Sequence, residues 1–178
     1  MQIAIVPGHN ALSPGAGMNG LHEYGIVLAL AHRIASQYTD AVQVVTRPEK
    51  PDGLASLIWR LNNEIQPNAV LSLHLNALEG ESPNQGYAIY YPGSEVAGYM
   101  ADAVTENALL NGVHRKQPLV REDLGILRET GMPAVLDEPA YIDRQDHQQA
   151  LLRRFDGLAM GYVDAVGEIL LRDEIGTA

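Results

Sequence analysis

Three stretches of this 178-residue chain place metal-ligating side chains where strands or helices begin or end: Pro7-Gly8-His9, His22-Glu23 and Leu71-Ser72-Leu73-His74-Leu75-Asn76. A fourth, Pro133-Ala134-Val135-Leu136-Asp137-Glu138-Pro139, runs an apolar segment into two adjacent carboxylates. Taken singly, each has an ordinary explanation. An acid such as Glu23 favours the first turn of a helix through the helix dipole, and His22 beside it reads equally well as a ligand or as a surface residue. An isolated histidine such as His74 is more often satisfied by a backbone carbonyl than by a metal, and a strand-end acid is commonly solvated. Taken together they read differently. Two strand-end histidines and a helix-start glutamate can converge at one edge of a sheet, and His-His-Glu with a fourth position left to water is a known catalytic zinc set. Alternation puts Asp137 and Glu138 on opposite faces, so only one of them looks easily into a given cleft. Pro139 holds Glu138 extended, and its side chain projects from the strand end.

The Gly- and Pro-rich loop after His9, residues 10–17, has neither the G-x-G-x-x-G nor the G-x-x-x-x-G-K-[ST] spacing and contains no lysine or arginine. It is therefore a poor phosphate cradle. His9 at the carboxyl end of a strand stands instead where open α/β sheets bind their ligands.

The elements that must position these groups alternate along the chain. Short apolar runs at 3–6, 42–46, 69–74, 87–91 and 134–136 predict strands, several apolar on both faces and so covered by helices. Between them, Val27, Leu30, Ala31 and Ile34 share one helical face, as do Leu57, the Arg60 stem and Leu61 beside Ile58. A third helix starts at a Ser94 N-cap, carries Val96, Tyr99, Met100, Ala103 and Leu110 at helical spacing, and stops at Gly112. A long fourth helix buries Leu151, Phe155, Leu158, Tyr162, Val166 and Ile169. This alternation is the mark of a wound α/β sheet in one domain over 1–178. Segments 10–20 and 113–125 resist regular assignment, and long connections are where function concentrates.

Composition narrows the partners. A formal net charge of -10 repels phosphate backbones and anionic lipid heads, which argues against nucleic acid. With no cysteine, a metal site must be built from His, Asp, Glu or water. No stretch reaches the roughly 18 to 20 apolar residues of a membrane span, and Met1-Gln2 enters the first strand without a basic leader region. The expectation is a chain without membrane anchor or signal peptide, made in the cytoplasm unless a leader has been removed.

Ile5-Val6-Pro7-Gly8-His9, Pro14-Gly15-Ala16, Asn19-Gly20-Leu21-His22-Glu23, Thr46-Arg47, the run from Leu71 through Asn76 to Ala77, Leu127-Arg128-Glu129-Thr130 and the segment 133–138 occur in this order over nearly the whole chain. Together they resemble the zinc-dependent amidase_3 type of N-acetylmuramoyl-L-alanine amidase. The resemblance implies a mixed, mainly parallel twisted α/β sheet of about six strands flanked by helices, of the phosphorylase/hydrolase-like kind. It implies Zn2+ held by His9, Glu23 and His74, and Glu138 as the catalytic glutamate. It gives no ligand role to His22, His32, His114 or His147. The implied reaction cuts the amide between N-acetylmuramic acid and L-alanine in peptidoglycan, by a monomer acting on the cell wall as an autolysin or endolysin. Asn76, Arg128 and the 113–125 loop, with Arg115, Lys116 and Arg121, are expected to contact carboxylates of the stem peptide.

The chain departs from the family pattern at Gly8-His9-Asn10-Ala11, where Gly-His-Gly-Gly is common, and at Asp137 and Pro139 around Glu138. Room for one helix and one loop between Tyr91 and Leu124 leaves no inhibitory helix, so the cleft is expected to be open without an activator. The rival readings are a zinc peptidase acting within the stem peptide, an inactive wall-binding module and, disfavoured by the missing phosphate loop, a small-molecule enzyme on a nucleotide-binding sheet.

Overall fold

The computed structural model describes residues 1–77, 86–108 and 117–176, with side chains to Arg172. The strand and helix order is β1 (Ile3–Pro7), β2 (Gly17–Met18), β3 (Leu21–His22), α1 (Glu23–Ala35), β4 (Val42–Val44), α2 (Gly53–Arg60), β5 (Ala69–Leu73), β6 (Tyr87–Tyr90), α3 (Glu95–Asn107), β7 (Leu119–Val120), α4 (Gly125–Arg128), β8 (Ala134–Glu138) and α5 (Gln145–Gly176). Six strands form one sheet in the order β4-β1-β5-β8-β6-β7, and β2 and β3 form a small separate hairpin. β4, β1, β5 and β8 are mutually parallel, while β6 runs antiparallel to β8. The expected mixed, mainly parallel sheet flanked by helices is present. Because β1, β5 and β8 are adjacent and parallel, their carboxyl ends open on one edge.

Strand alternation divides the core into two layers. Ile3, Ile5, Leu71, Leu73 and Val135 pack with α1, α3 and α5, whereas Ala4, Val6, Val70 and Leu136 pack under α2 and α4. Each fully buried Leu or Ile contributes roughly 1.5–3 kcal/mol of transfer free energy, so both faces of the sheet hold their helices in place. Among the described residues no helix is long and apolar enough to cross a membrane.

The structure adds detail where the sequence pattern was weak. The segment 113–125 contains β7, paired to β6, and 10–20 contains β2. α2 runs on into a π-helical turn over Leu61–Ile65 that ends at Gln66 in the left-handed region. Ser94 caps α3 by accepting from the Ala97 N–H at 3.1 Å, but Val96 is exposed and Ala97, Ala101 and Val104 take the buried face with Met100 and Ala103. The expected stop at Gly112, with Leu110, lies outside the described residues. The apolar face expected for α5 is buried at Leu151, Leu158, Tyr162, Val166 and Ile169, with Phe155 partly covered, and the helix is kinked at Arg154.

Candidate metal centre

The chain leaving β1 turns at His9, whose φ of 67° is a left-handed conformation uncommon outside glycine. His9 Nε2 lies 3.1 Å from Glu23 Oε2, and His74 Nδ1 lies 2.9 Å from Glu23 Oε1. The Leu75 N–H donates to the same Oε1 at 3.0 Å. One ligand atom from each of His9, Glu23 and His74 lies within 4.8 Å of the others. Zn–N and Zn–O bonds of about 2.0–2.2 Å are reached from there by small side-chain shifts, so the donor set and its spacing fit one divalent ion. A Cβ on Gly8 would stand 2.4 Å from the His74 ring, and one on Gly15, whose φ is +77°, 2.5 Å from Glu23 Oε2. Glycine at these two places lets the loop close over the cluster.

Burial pushes the Glu23 carboxyl up, but hydrogen bonds with His74 and His9 outweigh it and hold the pKa at about 2. Glu23 is a carboxylate throughout the neutral range, as a metal ligand must be.

β5 and β8 bring the second acid alongside. Leu73 is registered with Asp137, and the His74 N–H donates to the Asp137 carbonyl at 2.8 Å, so His74 and Glu138 leave neighbouring strands side by side. Asp137 turns the other way, fully buried, and accepts from the Tyr162 hydroxyl of α5. Asn76 Nδ2 donates to Glu138 Oε2 at 2.9 Å and to the Tyr87 hydroxyl at 2.8 Å. Burial raises the Glu138 pKa; the charges of Glu23 and Asp137 raise it further, against the pull of His74 and a hydrogen bond with Tyr87.

The residues expected to touch substrate are placed variously. The Asn76 amide holds Glu138 and Tyr87. The Arg128 guanidinium meets Glu129 and borders a recess lined by Tyr91, Ser94 and Met132, separate from the cluster. Arg121 pairs with Asp123 at 2.9 Å. Arg115, Lys116 and His114 lie outside the described residues. His22 and His32 are exposed. His147 is buried, with Nδ1 accepting from the Tyr141 N–H at 3.0 Å, the everyday way to satisfy an imidazole.

Two features escaped the sequence reading. Tyr87 is set opposite Glu138 by the β6–β8 register. Arg47, present in the Thr46-Arg47 pair but without a role, borders a cavity of about 150 Å³ between the sheet and α2 and α4, whose lining includes His9 and His74. The Asn10 departure also acquires a meaning: its Nδ2 donates to the Pro48 carbonyl at 3.0 Å while its Oδ1 accepts from the Ser13 N–H at 2.8 Å. That side chain ties the His9 loop to the segment carrying Arg47.

With this geometry in view, residues 3–168 match the model of the family described as N-acetylmuramoyl-L-alanine amidase, Amidase_3. The chain belongs to this family. It is 28% identical over 173 residues to an endolysin of Bacillus phage SPP1, covering 92% of the chain and 64% of that relative. It is 30% identical over 159 residues to the N-acetylmuramoyl-L-alanine amidase CwlM of Bacillus licheniformis, covering 85% of the chain and 60% of that protein. The chain thus spans less than two thirds of the length of either of these relatives. Among solved structures, the CwlD amidase from Clostridioides difficile superposes with a TM-score of 0.80 at 16% identity, covering 95% of this chain and 98% of that one. The catalytic domain of the CD27L endolysin does so at 0.77 and 25%, covering 94% and 97%. These amidase-family likenesses share the sheet whose carboxyl edge carries the cluster.

Proposed function

We propose that this chain is a zinc-dependent amidase that hydrolyses the bond between N-acetylmuramic acid and L-alanine in peptidoglycan, with 1–178 as its catalytic domain and the cell wall as its place of action. The observation that carries the reading is the gathering of His9, Glu23 and His74 beside Glu138 at one sheet edge, in a chain of this family.

An unactivated amide resists hydrolysis because water is a weak nucleophile and an amine a poor leaving group. His9, Glu23 and His74 would hold the ion. When bound, zinc supplies Lewis acidity towards water and the scissile carbonyl. Glu138, held by Asn76 next to His74, accepts the proton of the attacking water and returns it to the departing alanine nitrogen. Its raised pKa suits both halves of that task, since a group that takes and then gives a proton works best near the operating pH. Tyr87 and Asn76 keep the carboxylate aimed while the reaction proceeds.

Metal content measured together with the mass of products from purified sacculi tests the proposal. The native enzyme is expected to carry about one zinc per chain and to release intact stem peptides; fragments cut within the peptide would point to a peptidase instead. Glu138→Gln is expected to keep the metal and lose about 10²- to 10⁴-fold in rate. Wild-type turnover by the dialysed variant would refute the role given to Glu138.

A further inference from the structure

The cavity beside the cluster has one charged wall. Leu54, Leu57, Ile126 and Leu136 make it largely apolar, and Arg47 is the cation that borders it. Arg47 is half-buried, yet among the described residues it has no ion pair, hydrogen bond or ring contact. That is unusual in this chain. Acids outnumber Lys and Arg 22 to 12, and Arg60, Arg121, Arg128 and Arg144 each have a carboxylate partner. The other unpartnered arginines, Arg33 and Arg154, stand in solvent. An arginine packed beside an apolar cavity, with its donors uncommitted among the described residues, is placed to receive an anion that enters there.

We propose that Arg47 and this cavity form a subsite that recognises a carboxylate about one residue beyond the scissile amide, so that the enzyme discriminates between stem peptides carrying a free carboxylate there and those carrying a carboxamide. This deepens the amidase reading and rests on it for the identity of the peptide. Three observations support it. The lining of the cavity includes His9 and His74, so a group that enters it lies close to the reacting centre. Its volume of about 150 Å³ is that of a cavity able to take a benzene-sized group, roughly six heavy atoms, which suits a short carbon chain ending in a carboxylate. One guanidinium with apolar walls matches a singly charged anion; a phosphate dianion would need more donors. Asn10 braces the approach by fixing Pro48, the residue after Arg47, to the His9 loop.

The test uses the zinc-loaded full chain and two soluble muramoyl peptides that differ only in carboxylate or carboxamide on the second amino acid. The native enzyme is expected to favour the carboxylate in kcat/KM, and Arg47→Gln to reduce that ratio by about tenfold or more, the scale of one charge-assisted hydrogen bond. Arg47→Lys, which keeps the charge without the fork, is expected to fall between them. Calorimetric titration with the corresponding alanyl dipeptides gives a readout that needs no turnover: the acid should bind the native protein more tightly than the amide, and Arg47→Gln should erase the difference. Equal binding of the two dipeptides by the native protein, or an unchanged preference in a folded Arg47→Gln, would overturn the subsite. If the dipeptides are told apart through Arg47 but no muramoyl bond is cut, the subsite stands and the amidase reading falls.

Discussion

Burial sets the working range of Glu138. With its pKa raised above the usual carboxylate value of about 4.3, the group is still protonated at a pH where an exposed glutamate would be charged. A base must be ionised to act, so activity falls as pH drops through the raised value. The acid limb of kcat/KM is expected to lie above the ordinary carboxylate range. Asn76 stabilises the ionised form by donating to Oε2. In Asn76→Ala the limb should move to still higher pH and kcat fall, with zinc content unchanged, a combination that loss of packing alone would not produce. Rate measurements from acidic to neutral pH with metal analysis check this; an unmoved limb would remove Asn76 from the positioning of Glu138.

At the scale of elements, α5 is fastened to β8 by the Tyr162 hydroxyl, which donates to the buried Asp137 carboxylate one residue before Glu138. Tyr162→Phe leaves that acid one donor short and is expected to cost about 1–3 kcal/mol in urea unfolding while the zinc stays bound; a neutral effect would show that the contact holds nothing. The same strand shows what the sequence could and could not reveal. Alternation separated Asp137 from Glu138 correctly, because successive side chains of a strand point to opposite faces of the sheet. The central strands were readable because residues such as Ala69–Leu73 are apolar on both faces. β7, two residues long, was not, since its pairing is supplied by β6 and leaves no local periodicity. Val96, counted with the apolar residues of α3, is exposed for a related reason: alanines 97 and 101 allow close approach to the core, a preference that a count of large apolar residues misses. At the site, His9, Glu23 and His74 stood out because strand ends and a helix start are where a parallel sheet gathers its chemistry. Tyr87 and Arg47 did not, because their places depend on the β6–β8 register and on how the loop after β4 folds under α2.

For the molecule as a whole, the cluster joins pieces distant in sequence: His74 and Glu23 are 51 residues apart and meet only once β1, β5 and α1 have assembled. An ion that binds this arrangement but not the unfolded chain stabilises it by mass action, by about 2.7 kcal/mol at a hundred times Kd. Stripping the protein with a chelator is therefore expected to lower its melting temperature and zinc to restore it, with no response in His9→Ala; a chelator-insensitive native protein would argue against metal at this site. A last consequence lies at the rim of the sheet. Its outermost strands, β4 and β7, are three and two residues long, so little unpaired backbone is offered to a neighbouring copy, and crowded solutions should resist the edge-to-edge zippering that begins fibre growth.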